Sequence, residues 1–153
     1  MDASVLIQGE PGTGKTQLAK VIVRHSARAR QPLYVVECVG AAELETVFSA
    51  AMSKPGTLLL ENVDALAPNL QGELLRYIHE GRSRGAHGST KGGDLRLIAT
   101  TRRSLRELVT AGQFREDLHY RLSILAPMFL GAASEVPVNY WHISPQEIVA
   151  LRK

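Results

Sequence analysis

The stretch Gly9-Glu10-Pro11-Gly12-Thr13-Gly14-Lys15-Thr16 constrains this chain more than any other. It matches G-x-x-x-x-G-K-[ST], a loop whose backbone N–H groups cradle phosphate oxygens. Its glycines permit the tight curl. The loop stands between Val5-Leu6-Ile7, an apolar run suited to a buried strand, and Gln17-Leu18-Ala19-Lys20-Val21-Ile22-Val23, which continues as a helix. A helix starting there aims free N–H groups and the positive end of its dipole at an anion. In such a loop the lysine, Lys15, reaches the β- and γ-phosphates, and the Thr16 hydroxyl binds Mg²⁺. The alternative is a glycine-rich turn without a ligand. The strand before the motif and the helix after it favour the phosphate loop.

Downstream, apolar runs and helical periodicities alternate. Leu33-Tyr34-Val35-Val36-Glu37 is β-rich and follows Gln31-Pro32, a boundary signal. Residues 41–52 carry Leu44, Val47, Phe48 and Ala51 at helical spacing. Thr57-Leu58-Leu59-Leu60 reads as a strand buried on both faces. A helix is expected over 68–80 and a polar loop over 81–93, with Arg82, Arg84, His87 and Lys91. The loop is either solvated or a basic contact for nucleic acid or an acidic protein, and the solvated reading is favoured. Leu95 to Ala99 predicts a strand, Leu105 to Val109 a helix and Phe114 to Leu122 another. Ser123-Ile124-Leu125 is the candidate fifth strand. The first helix is expected over 15–29. This order predicts an α/β fold with a mostly parallel five-stranded sheet flanked by helices.

The expected division is a core over 1–126 and an irregular tail over 127–153. The tail carries one capping box, Ser144-Pro145-Gln146-Glu147, which predicts a short helix over 145–152. Trp141 is expected to pack against it. The 153 residues are 44% hydrophobic, enough for one domain with a real core. The single cysteine, Cys38, excludes an intramolecular disulfide and fits a reducing cytoplasm. The N-terminus lacks the basic stretch of a signal peptide, and no apolar run approaches the ~20 residues of a membrane span. A formal charge of +3 is too small to imply nucleic-acid binding by itself.

From about Val5 to Leu125 the chain resembles the AAA+ ATPase domain of bacterial sigma-54-dependent, nitrogen-regulator-like transcription activators. The residues that carry the resemblance are the phosphate loop, Gly56-Thr57-Leu58-Leu59-Leu60, Leu74-Leu75-Arg76-Tyr77-Ile78-His79-Glu80-Gly81, Leu97-Ile98-Ala99-Thr100-Thr101 and Gly112-Gln113-Phe114-Arg115-Glu116-Asp117-Leu118-His119-Tyr120-Arg121-Leu122. The last is close to the family pattern G-x-F-R-x-D-L-x-x-R-L. The resemblance implies a P-loop NTPase with an AAA+ core. It further implies ATP or ADP with Mg²⁺ on residues 9–16, and a ring-type homo-oligomer that acts on RNA polymerase. Arg115 and Arg121 match arginines that reach a neighbouring subunit's nucleotide. A guanidinium there stabilises charge in the transition state.

The chain also departs from the family pattern. The Walker B strand ends in Glu61-Asn62, where the family has Asp-Glu. Glu61, with Thr16, is the expected Mg²⁺ ligand. Asn62 orients water but accepts no proton as a general base. Asp64 is a remote alternative. Glu37-Cys38 stands where the family often has Asn-Cys, and a carboxylate there faces phosphate charge. Thr101 remains a candidate γ-phosphate contact, while Arg102 replaces the family's asparagine and is expected to pair with Glu37 or Glu61. The hexapeptide Gly-Ala-Phe-Thr-Gly-Ala, which touches sigma-54 in the family, does not occur. Nor do the helical lid and DNA-binding module. The expected function is a nucleotide-binding AAA+ module with weak or absent hydrolysis. The alternatives are an active ATPase with a non-standard Walker B, and a structural or interaction module whose phosphate loop is a relic.

Overall fold

Apolar residues in unbroken runs need two covers, one for each face of a sheet. The computed structural model supplies both, and it describes residues 4–40, 44–51, 53–86, 95–123 and 127–130. Five strands form one sheet in the order β2-β3-β4-β1-β5. They are β1 (Val5–Gly9), β2 (Leu33–Glu37), β3 (Gly56–Glu61), β4 (Leu95–Thr101) and β5 (Pro127–Leu130). All neighbouring pairs run parallel. Between them lie α1 (Lys15–Arg24), α2 (Leu44–Ala51), α3 (Pro68–Ala86), α4 (Leu105–Thr110) and α5 (Glu116–Leu122).

The period of two along each strand sorts the core into two sides. Ile7, Leu59 and Ile98 pack with Leu18, Ala19 and Val23 of α1. Their neighbours Leu6, Leu58, Leu60, Leu97 and Ala99 face the other way, toward Leu44, Phe48, Leu74, Leu105 and Leu118 from the remaining helices. Phe48 of α2 stacks on Tyr77 of α3 with ring centroids 4.4 Å apart. Leu58, Leu59 and Leu60 are all fully buried, as expected for a strand covered on both faces. The central position of β3 and β4 follows from this pattern.

Four boundaries differ from those the sequence predicts. Helix α1 stops at Arg24, not residue 29. The Ser26 hydroxyl donates to the Val23 carbonyl, and a turn through Ala29 and Gln31 follows. Helix α3 runs on to Ala86, through the first six residues of the expected loop. Two glycines cost only ~1 kcal/mol each, which a helix already propagating tolerates. Helix α5 begins at Glu116, because Phe114 is buried and its N–H reaches back to the Leu108 carbonyl. The fifth strand described is Pro127–Leu130; of the expected strand over 123–125, Ser123 caps α5, and Ile124 and Leu125 fall outside the described residues. Proline is tolerated as the first residue of an edge strand. Since Leu6↔Pro127 and Gly9↔Leu130 are paired, the sheet reaches past the boundary expected at 126. The terminal helix, Trp141, His87 and Lys91 fall outside the described residues. Among the described residues no helix is long and apolar enough to cross a membrane.

Candidate nucleotide-binding site

In a parallel sheet the carboxyl ends of the strands form one edge, where ligands bind. Here that edge carries the phosphate loop after β1, Glu37 and Cys38 after β2, Glu61 and Asn62 at the end of β3, and Thr101 at the end of β4. Gly12 and Gly14 adopt φ of +79° and +86°, values that side chains with a Cβ rarely take. Gly14 caps α1 without a side-chain hydrogen bond. The first turn of α1 therefore has no side-chain cap competing with an incoming phosphate.

Three donors converge on the Glu10 carbonyl oxygen. They are Thr13 N–H at 3.3 Å, Thr13 Oγ1 at 2.7 Å and Lys15 Nζ at 2.7 Å. Lys15 is buried. Burial lowers its pKa from the usual 10.5, Arg102 lowers it further, and Asp64 opposes both. Pro11 and Gly12 are exposed on the outer side of the loop.

Thr16 Oγ1 donates to Glu61 Oε1 at 2.6 Å. A hydroxyl oxygen and a carboxylate oxygen in contact form a hard donor pair of the kind Mg²⁺ prefers. The residues present thus fit the metal, despite the extra methylene of Glu61. Bound there, Mg²⁺ would neutralise charge on phosphate oxygens.

Asn62 leaves the strand in the left-handed region, at φ 54° and ψ 50°. Its N–H donates to Thr100 Oγ1 at 3.1 Å. Its amide Nδ2 donates to both carboxylate oxygens of Glu37, at 3.1 Å each. Glu37 Oε1 also accepts from Val39 N–H at 3.1 Å. Among the described residues, the side-chain partner of Glu37 is therefore the neutral amide of Asn62.

Arg102 pairs with neither Glu37 nor Glu61. Its guanidinium lies 3.6 Å from Asp64, and its N–H donates to the same carboxylate at 3.2 Å. The 3-10 turn Val63–Ala65 directly after β3 brings Asp64 beside the end of β4. The side chain of Asp64 is 2% exposed, and its carboxylate is engaged by Arg102. Thr101 is also engaged locally. Its hydroxyl donates to the Arg103 carbonyl at 2.7 Å and accepts from Arg103 N–H, closing the turn after β4. Cys38 is buried, and burial first, then Glu37, Asp64 and Glu61, push its thiol up to about 12. It acts as a packed apolar group.

The two arginines stand apart from this edge. Arg115 caps α5 and grips Asp117 with two hydrogen bonds, of 3.1 and 3.0 Å. Arg121 lies in the last turn of α5. Among the described residues neither bonds any group of the phosphate loop. What periodicity did not single out is Gln71, a polar residue on the buried stripe of α3 with Leu74 and Ile78. Its amide donates to the Leu66 and Gln113 carbonyls, and its oxygen accepts from Arg115 N–H. A lone glutamine at the i−3 position of a buried leucine was the available signal.

Residues 1–51 and 44–126 match the family described as the Sigma-54 interaction domain. The transcriptional regulatory protein ZraR of Klebsiella oxytoca is 39% identical over 144 residues, covering 81% of this chain and 32% of that protein. The chain thus spans about a third of the length of the curated relatives it matches. NtrX from Brucella abortus, solved in complex with ATP, superposes with a TM-score of 0.68 at 28% identity, over 86% of this chain and 34% of that one. The P-loop NTPase domain of a sigma-54 activator from E. coli superposes at 0.57 with 25% identity, over 78% of this chain and 90% of that one. With the phosphate loop, the sheet order and these likenesses in agreement, the chain belongs to the Sigma-54 interaction domain family and has its P-loop NTPase fold.

Proposed function

We propose that this chain is the nucleotide-binding AAA+ module of a bacterial sigma-54-type transcription regulator, and that it binds ATP or ADP with Mg²⁺ and turns ATP over slowly. The contact of Thr16 Oγ1 with Glu61 Oε1, beside the buried Lys15, carries this reading. The backbone N–H groups of residues 9–16 and the start of α1 hold the phosphates. Lys15 supplies positive charge, and Thr16 with Glu61 holds the metal. The ATP seen with NtrX of Brucella abortus supports the same ligand here. Slow turnover follows from Asn62, which has no proton-accepting group at the place beside Glu61.

Arg115 and Arg121 act across a subunit boundary on a neighbour's nucleotide, so the working form is a homo-oligomer. Among its described residues the segment between β2 and β3 contains the single helix α2, and its sequence has no Gly-Ala-Phe-Thr-Gly-Ala. Regulation therefore runs through nucleotide-dependent assembly, without the family's usual grip on sigma-54. The test is a titration with Mg²⁺ and ATP or ADP, read by calorimetry and by light-scattering mass. Saturable binding with a rise in mass is expected. No binding at millimolar nucleotide would make the phosphate loop a relic, and binding without a mass change would remove the role across subunits.

A further inference from the structure

We infer that Glu37, at the carboxyl end of β2, is the catalytic base for ATP hydrolysis in this chain, and that Asn62 positions it. This rests on the proposed nucleotide site. The carboxylates at the ligand edge, among the described residues, are Glu10, Glu37, Glu61 and Asp64. Glu61 is taken by Thr16. Asp64 is taken by Arg102 through both its guanidinium and its N–H, and is enclosed. Glu10 belongs to the exposed stretch of the phosphate loop, and its own carbonyl organises that loop. Glu37 remains. It is solvent-exposed, and among the described residues every donor it accepts from is uncharged.

The placement of Glu37 follows from register. Glu37 and Glu61 are directly paired across β2 and β3. Cys38 N–H donates to the Glu61 carbonyl at 2.9 Å, which locks the end of that ladder. The carboxylate of Glu37 therefore stands one strand over from the residue that meets Thr16. Asn62 turns out of β3 in the left-handed conformation, which asparagine tolerates better than most residues. Its N–H is anchored on Thr100 and its amide spans both oxygens of Glu37. A neutral amide fixes the direction of a carboxylate without neutralising it. Each carboxylate oxygen has two acceptor sites, so the amide and Val39 leave room for a water.

In the step itself, the Glu37 carboxylate takes a proton from water as the water oxygen bonds to the γ-phosphorus. The bond from that phosphorus to the β,γ-bridging oxygen breaks, and ADP leaves with the electron pair. Inorganic phosphate and ADP are the products, and the proton rests on Glu37 until solvent removes it. Nothing else is consumed.

The test compares the unaltered chain with Glu37→Gln, Glu37→Asn and the exchanged pair Glu37→Asn with Asn62→Glu, each saturated with Mg²⁺ and ATP. Turnover by Glu37→Gln should fall by about 100-fold or more, the usual size of a general-base contribution. Its preference for ATP over ADP, measured by calorimetry, should rise roughly threefold, because a negative charge facing the γ-phosphate is gone. A glutamine that merely replaced a structural carboxylate would not move that ratio. The exchanged pair should recover turnover to well above that of Glu37→Asn alone. If nucleotide binds normally but the unaltered chain shows no turnover, or Glu37→Gln keeps its rate, Glu37 is not the base and the nucleotide site stands. If the unaltered chain binds no nucleotide, both assignments fall.

Discussion

Gln71→Leu should destabilise the protein by about 2 kcal/mol, and the figure can be built from three hydrogen bonds. Gln71 is 1% exposed. Its Nε2 serves the Leu66 carbonyl at 3.0 Å and the Gln113 carbonyl at 3.1 Å, and its Oε1 serves Arg115 N–H at 2.9 Å. The bond to Leu66 is enclosed, so its carbonyl left without a donor costs about 1–3 kcal/mol. Gln113 and Arg115 are exposed, and water replaces part of each bond there, leaving about 0.5–1 kcal/mol apiece. The new apolar side chain gains about 1 kcal/mol from burial and offsets some of the loss. A net ~2 kcal/mol corresponds to a fall of roughly 4–8 °C in Tm for a chain of this size. Urea and thermal unfolding without nucleotide give both numbers. Hydrogen exchange adds a local readout, for the Arg115 amide should exchange faster while the Leu74 amide does so only through global opening. A variant as stable as the parent, with Arg115 exchange unchanged, would refute the bridge between α3 and the approach to α5.

Lys15→Ala removes the charged donor of the phosphate loop and should weaken Mg²⁺–ATP by about 10- to 100-fold, by calorimetry, the size of one charge-assisted bond. Because burial lowers the Lys15 pKa below 10.5, that affinity should fall as pH rises toward 10 earlier than for an exposed lysine. His119 gives an acid limb to stability. Burial, then Arg106, lower its pKa below 6.5, with Glu116 opposing, so on acidification the unfolded chain binds the proton first. Stability is therefore fully present above pH 6.5 and is lost as pH falls through that value toward the lower folded pKa. In His119→Asn the same urea titrations between pH 7 and pH 5 should show a flatter slope.

Much of the fold was legible because two signals are local. The phosphate loop declares a strand before and a helix after, and both lie where it puts them, as β1 and α1. The unbroken leucines of β3 declare a strand covered twice, and the two core faces bear this out. What was misread depends on competition or on distance. Gly81 and Gly85 suggest a loop, but propagation from a firmly packed α3 outweighs them. Proline at 127 suggests a break, yet an edge strand accepts it in first position. At the site, the sequence points Arg102 to Glu37 or Glu61, and the structure gives it to neither. The choice of Asp64 depends on the 3-10 turn after β3. Likewise Glu37 and Asn62 are far apart in the chain, and only the register of β2 on β3 makes them partners. Gln71 was readable in principle, as a polar residue within an apolar stripe.

The crowded carbonyl of Glu10 has a further consequence. The Thr13 hydroxyl and N–H and the Lys15 ammonium all point at that one oxygen. A carbonyl oxygen bearing partial negative charge acts there as an internal stand-in for a phosphate oxygen. The loop is therefore self-liganded, and contacts within the chain set its curled shape. Binding then becomes an exchange of one acceptor for another, with little backbone ordering left to do. Such a site should discriminate by charge, since only an acceptor more negative than a peptide carbonyl can draw the ammonium away. Neutral nucleosides should not compete for it, however well their bases pack.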